Sequence, residues 1–238
     1  MGIAKERMKK MKKRTVSLVL ALLMLLSMLA ACGGDPVAQT APSTEPTPPD
    51  RPLSLGVVSG NTYTNTYAGM GCTLDEDWVI LPAEELQERP EILKAAREDT
   101  ELGEAMKDVK QFTDMYAEST SGLTNMNILF QKLTLKERLA YMVMTEEELV
   151  DQVLGQKDVM IDAYAAAGIQ VKSMEKVSVT FLGEPHFALL TMAETNEVPH
   201  FILQLFDYHK GEYSVTLTLT SFMEDHTKTM LKLFYPLS

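Results

Sequence analysis

Histidine and cysteine have the broadest chemical reach in this 238-residue chain: His186, His200, His209, His226, Cys32 and Cys72. His186 and His209 flank two strand-like runs, Phe187–Ala193 and Phe201–Tyr208, whose turn centres near residue 197. Antiparallel pairing about that centre sets His186 opposite Tyr208 and beside His209, with Glu184 and Glu212 in the turns at the same sheet end. Two imidazoles with two carboxylates could hold zinc or another transition metal. Turns also collect exposed polar side chains, so the same four residues read as solvated surface. Asp75-Glu76-Asp77 could hold calcium or form a solvated acidic turn. Cys72 has no histidine near it in sequence, and a nucleophilic thiol needs such a partner to lower its pKa; it reads as a small buried hydrophobe. The chain lacks HExxH, C-x-x-C, an EF-hand loop, G-x-S-x-G, G-x-G-x-x-G and a P-loop. The expectation is therefore no enzyme and no cofactor.

Cys32 is different, because its surroundings specify a modification. Met1–Arg14 is basic, and Val16–Ala31 is an apolar run of sixteen residues interrupted only by Ser17 and Ser27. A spanning helix needs about 20 apolar residues, so this run has the length of a secretory h-region. Leu29-Ala30-Ala31-Cys32 follows at once and resembles a bacterial lipobox, in which small residues fit the signal peptidase and the thiol receives diacylglycerol. The resemblance implies cleavage before Cys32 and lipidation there. Two or more acyl chains, at about 0.8 kcal/mol per buried methylene, form a stable membrane anchor.

Charge points the same way. Residues 1–31 hold seven basic side chains and one acid, and residues 32–238 carry 15 basic and 32 acidic groups, a balance of −17. Nucleic acid is excluded as a partner, since phosphate binding needs a basic footprint. An anionic membrane surface would also repel this domain. Gly33–Arg51 is rich in proline and small polar residues, with prolines at 36, 42, 46, 48 and 49. It reads as an extended tether that could hold a domain up to roughly 55 Å from the lipid at about 3.1 Å per residue. The expected organisation is a signal peptide at 1–31, lipidated cysteine and tether at 32–52, and one domain at 53–238.

Within that domain, strands are expected at Leu55–Ser59, Thr62–Tyr67, Gly71–Leu74 and Trp78–Ile80, then a broken helical segment at Pro82–Lys107. Phe112–Glu118 and Met126–Leu133 form a hairpin. Thr134-Leu-Lys-Glu137 and Thr145-Glu-Glu-Glu148 are capping boxes, the second opening a helix with Leu149, Val150, Val153, Leu154, Met160, Ile161 and Tyr164 on one face and Gly168 at its stop. A meander follows: Val177–Phe181, Phe187–Ala193, Phe201–Tyr208 and Tyr213–Ser221. In its last strand Tyr213, Val215, Leu217 and Leu219 face one way. Ser214, Thr216, Thr218 and Thr220 face the other, which predicts a buried and a more polar face. Ser221 to Glu224 has capping-box spacing before a closing helix striped by Met223, Thr227, Met230, Leu231 and Phe234. Tyr63, Tyr67, Trp78, Tyr208 and Tyr213, with Met142, Met160, Met223 and Met230, read as core rather than as an exposed contact surface. Helices inserted between strand runs indicate an α+β fold.

Gly56-x-x-x-Gly60-Asn61-x-Tyr63-x-Asn65-x-Tyr67, then Leu74-x-x-x-Trp78, resembles the opening of secreted and lipoprotein members of the PsbP-like class. The later order of hairpin, Glu-rich helix ending in Ala-x-Gly, meander and closing helix is similar too. Asp75-Glu76-Asp77 replaces the usual Pro-x-Gly before Trp78. The resemblance implies an α/β/α sandwich around a mainly antiparallel sheet and a mostly non-catalytic binding or assembly module, with no family active site to carry over. The expected function is a lipid-anchored module on the extracytoplasmic face of the cell membrane with an envelope protein as partner. The alternative is a small-ligand or metal-binding lipoprotein using His186, His209, Glu184 and Glu212.

Overall fold

The computed structural model describes residues 53–82, 110–207 and 211–237. Cys32, the tether, the helical segment expected at Pro82–Lys107 (beyond Pro82 itself), Tyr208 and His209 lie outside the described residues.

Eleven strands are described, in two antiparallel sheets. The smaller has the order β1 (Val57–Ser59), β2 (Thr62–Asn65), β3 (Met70–Thr73) and β11 (Phe234–Pro236). The larger has the order β4 (Trp78–Pro82), β5 (Gln111–Ser119), β6 (Thr124–Lys132), β10 (Tyr213–Phe222), β9 (Val198–Asp207), β8 (Glu184–Thr195) and β7 (Gln170–Phe181). Helices α1 (Leu135–Tyr141), α2 (Glu146–Gly155) and α3 (Lys157–Ala166) lie between β6 and β7, and α4 (Thr227–Met230) follows β10. The architecture is α+β, with layers on both faces of the seven-stranded sheet.

Alternation along the strands makes two cores. On one face Met126, Ile128, Leu203, Leu217 and Leu219 pack with Tyr63, Tyr67, Cys72 and Phe234 of the small sheet and with Met230 and Leu231. On the other, Leu129, Leu189, Ile202 and Phe206 pack with Leu149, Val150, Val153, Met160 and Tyr164 of α2 and α3. Both capping boxes form: Thr134 with Glu137 and Thr145 with Glu148 each exchange side-chain and backbone bonds. Gly168 sits at φ 79°, where the chain leaves α3. At such an angle a Cβ is strained.

Several expectations need correction. The long helix breaks at Gln156, which caps α2 and opens α3. The Ser221 box does not form: its hydroxyl donates to the Glu224 carbonyl at 2.6 Å, and α4 begins after His226 without a side-chain cap. The closing helix is a single turn followed by a 3-10 turn, and Phe234 belongs to β11, paired with Cys72. Met142 and Met223 are exposed, while Met160, Met230, Tyr63, Tyr67 and Tyr213 are buried as expected and Trp78 packs half-buried at the core edge.

The polar face of β10 is also buried. Thr218 pairs with Asn127 on one side and Gln204 on the other, and all three are at most 3% exposed. Among the described residues, the side-chain carbonyl oxygens of Asn125, Asn127 and Gln204 and the hydroxyls of Thr191 and Thr195 find no hydrogen-bond partner.

Candidate functional site

Residues of the opening motif are spent on joining the two sheets. A bulge in β5 between Thr113 and Met115 leaves Asp114 out of the ladder. Its carboxylate, 1% exposed, accepts from the Gly56 amide at 2.8 and 3.0 Å, from the Tyr63 hydroxyl at 2.6 Å and from Asn65 Nδ2 at 2.8 Å. Asn65 also donates to the Ser54 carbonyl and accepts from the Ala68 amide. The Tyr67 hydroxyl donates to the Tyr213 carbonyl at 2.9 Å and accepts from the Tyr213 amide at 3.0 Å. Burial, reinforced by the Asp114 carboxylate, holds the Tyr63 phenol well above its ordinary pKa. A buried carboxylate in such a cage is satisfied, which makes it a structural anchor.

Cys72 is fully buried, and burial pushes its thiol up to about 12, so it stays protonated and packs as a hydrophobe. Asp75-Glu76-Asp77 is an exposed turn organised from within: Asp75 Oδ1 accepts the Asp77 amide at 3.0 Å, and the Asp75 carbonyl accepts the Trp78 amide.

The sequence-derived metal residues fall as follows. His186 Nδ1 lies 2.9 Å from Glu146 Oε1, while the other Glu146 oxygen accepts the Phe187 amide at 3.1 Å. Glu184 and Glu212 are exposed, and His209 is outside the described residues. Among the described residues no three or more His, Cys, Asp or Glu side chains gather as a metal site. The expected register is off by one. The β8–β9 turn is the two-residue Asn196-Glu197, both at positive φ, and Leu189 pairs with Gln204. Continuing that register sets His186 opposite Asp207, and a one-residue slip reverses the face a side chain presents. Glu146, the first residue of α2, was the partner that sequence separation concealed. Thr145 caps that helix and so delivers Glu146 to the sheet.

An open feature lies at the outer edge of β7. A groove of about 490 Å³ runs between Ser178–Thr180, the Leu182-Gly183 turn and the α4 segment with its 3-10 turn. Val179, Leu231 and Phe234 supply apolar walls, while Lys228 and Lys232 stand exposed at its rim. No sequence signal pointed to it, because its two sides are separated by about fifty residues and only the fold brings them together.

No family model matches the chain, and no curated protein does. Among solved structures there is a counterpart. The chain is similar to a PsbP protein. That protein is cyanobacterial PsbP (CyanoP) from Synechocystis sp. PCC 6803, seen in a solution structure, at 13% identity and a TM-score of 0.39. The match covers 76% of this chain and 98% of the PsbP chain.

Proposed function

We propose that this chain is an extracytoplasmic lipoprotein, held at the cell membrane through acylated Cys32, whose folded part is a non-catalytic binding or assembly module for another envelope protein. The groove beside β7 carries the reading: a strand edge unpaired among the described residues, apolar walls and two lysines form a surface suited to a protein segment. The lipobox and the tether of residues 33–52 supply the address and the reach. The polar residues of the opening motif support it too, because Asp114, Tyr63, Asn65 and Tyr67 are engaged in holding the two sheets together.

In-cell crosslinking of the full lipidated protein, read by mass spectrometry against Cys32→Ala, tests this. A reproducible envelope protein that is lost with the anchor is the expected result. The absence of any reproducible partner removes the adaptor reading.

A second reading has one observation in its favour. A carboxylate on one imidazole nitrogen is the arrangement that orients histidine ligands, and Glu146 on His186 Nδ1 leaves Nε2 available. A metal held there by His186, His209, Glu184 and Glu212 predicts a melting temperature raised by zinc, copper or manganese. An unchanged melting temperature with all three dismisses it.

A further inference from the structure

We infer that the groove beside β7 takes an extended acidic peptide, added to the large sheet as an eighth strand. The inference rests on the binding-module reading above and names the chemistry of what binds. The turn after β7 has Leu182 at φ 51° and Gly183 at φ 91°, the backbone of a two-residue type I′ hairpin. Phe181 and Glu184 flank it as a pair, and Thr180–Pro185 and Ser178–Phe187 are further pairs in the register. The flanking pair of such a hairpin exchanges both backbone bonds, so Thr180–Pro185 falls at a non-bonded position. Proline at 185 fits only there, since it has no N–H to give. By the same alternation the amides and carbonyls of Ser178 and Thr180 point away from β8, and both residues line the groove. Among the described residues β7 has no neighbour on that side in the sheet. A free edge of twelve residues is long for a natural protein and offers a ready ladder.

Charge selects the occupant. Lys228 and Lys232 are four residues apart on consecutive helical turns and line the same groove. Neither makes an ion pair among the described residues, whereas the lysines elsewhere on β7 are neutralised: Lys172 by Glu194, and Lys176 by Glu147 and Asp151. Two unneutralised ammonium groups in a domain (residues 53–238) with 14 basic and 29 acidic side chains, net −15, favour carboxylates on the added strand. Val179, Leu231 and Phe234 accept apolar side chains at the alternating positions.

The test titrates the full-length protein in detergent micelles with fluorescein-labelled acetyl-Asp-Val-Glu-Val-Asp-Thr, followed by anisotropy. Three comparisons accompany it: the Asn/Gln version of the peptide, two versions N-methylated on opposite alternating sets of amides, and the protein variant K228Q/K232Q. We expect saturable binding, weakened about fivefold by the double variant and by the neutral peptide, and abolished by one N-methylation set but not the other. Equal binding of acidic and neutral peptides, indifference to both N-methylation sets, or no saturable binding overturns the proposal. So does concentration-dependent self-association removed by Thr180→Pro, which gives the edge to a second copy. Peptide binding that emerges only after Asp35→Asn, Glu45→Gln and Asp50→Asn assigns the groove to the chain's own tether and likewise overturns it. An envelope partner that still crosslinks when the peptide fails leaves the adaptor reading standing without the groove. Peptide binding without any crosslinked partner does the reverse.

Discussion

The Tyr63 hydroxyl on β2 donates to Asp114 Oδ2 in the β5 bulge across 2.6 Å, so a phenol of the small sheet is bonded to a carboxylate of the large one. Gly56 and Asn65 complete the same cage. Its energetic weight follows from burial: removing the acceptor strands donors that water cannot reach. Asp114→Ala should cost at least about 3 kcal/mol, and Tyr63→Phe, which deletes one donor to a charged acceptor, about 2 kcal/mol. Urea unfolding of both variants checks the order. A loss under 1 kcal/mol for Asp114→Ala would show that the cage is not holding the sheets together.

Gly56 should tolerate no side chain. A Cβ there meets Tyr63 Cε2 and Asp114 Oδ2 inside contact distance, and both are locked in the cage. Gly56→Ala should cost about 2–3 kcal/mol through overpacking, whereas Gly155→Ala, in open space on α2, should be neutral or slightly stabilising. Paired thermal melts decide this, and equal melting temperatures for the two variants contradict the close approach.

Stability should fall above pH 9, and Cys72 should be the first cause. Burial raises its pKa from 9.0 to about 12, so the unfolded chain releases this proton while the folded chain keeps it. Unfolding is then favoured as pH rises through that window, by up to about 1.4 kcal/mol per pH unit. Tyr213, raised from 10.0 to about 12, adds to the slope above pH 10. At the acid end His200, lowered from 6.5 by burial, works in the opposite sense: stability is lost as pH falls below 6.5. Cys72→Ala should flatten the curve between pH 9 and 10 without altering the acid limb, as denaturant melts across pH will show.

Thr191 is 0% exposed, with a hydroxyl that makes no hydrogen bond among the described residues. Thr191→Val keeps the shape and removes the stranded polar atom, so it should be neutral or stabilise by about 1 kcal/mol. A loss of more than 1 kcal/mol would mean that the hydroxyl has a bound partner, such as an internal water.

Local chemistry was readable residue by residue. Thr145-x-x-Glu148 announced a helix start because its bonds close within four residues. The β5–β6 hairpin showed itself through two runs of β-formers around a short turn. Tyr63, Asn65 and Tyr67 stood out as a motif, yet the sequence did not say what they hold, since Asp114 and Tyr213 lie far along the chain. Gln170–Lys176 escaped as strand because its exposed and half-buried side chains alternate without the apolar run that marks a central strand. β11 escaped because three residues carry no periodicity, and only pairing with β3 makes them a strand.

What the sequence determined by itself was therefore what depends on neighbours in the chain: the capping boxes at Thr134 and Thr145, the β5–β6 hairpin, the α+β order and the charge asymmetry. The tertiary structure decided which polar groups are buried and which stay open. Thr216, Thr218 and Thr220 read as a polar face, but the fold buries them. Lys228 and Lys232 carried no signal in the sequence, but the fold stands them beside a strand edge, unpaired among the described residues, about fifty residues away. Burial and charge pairing depend on what packs across space, and a hydropathy pattern records only which groups could be covered, not what covers them.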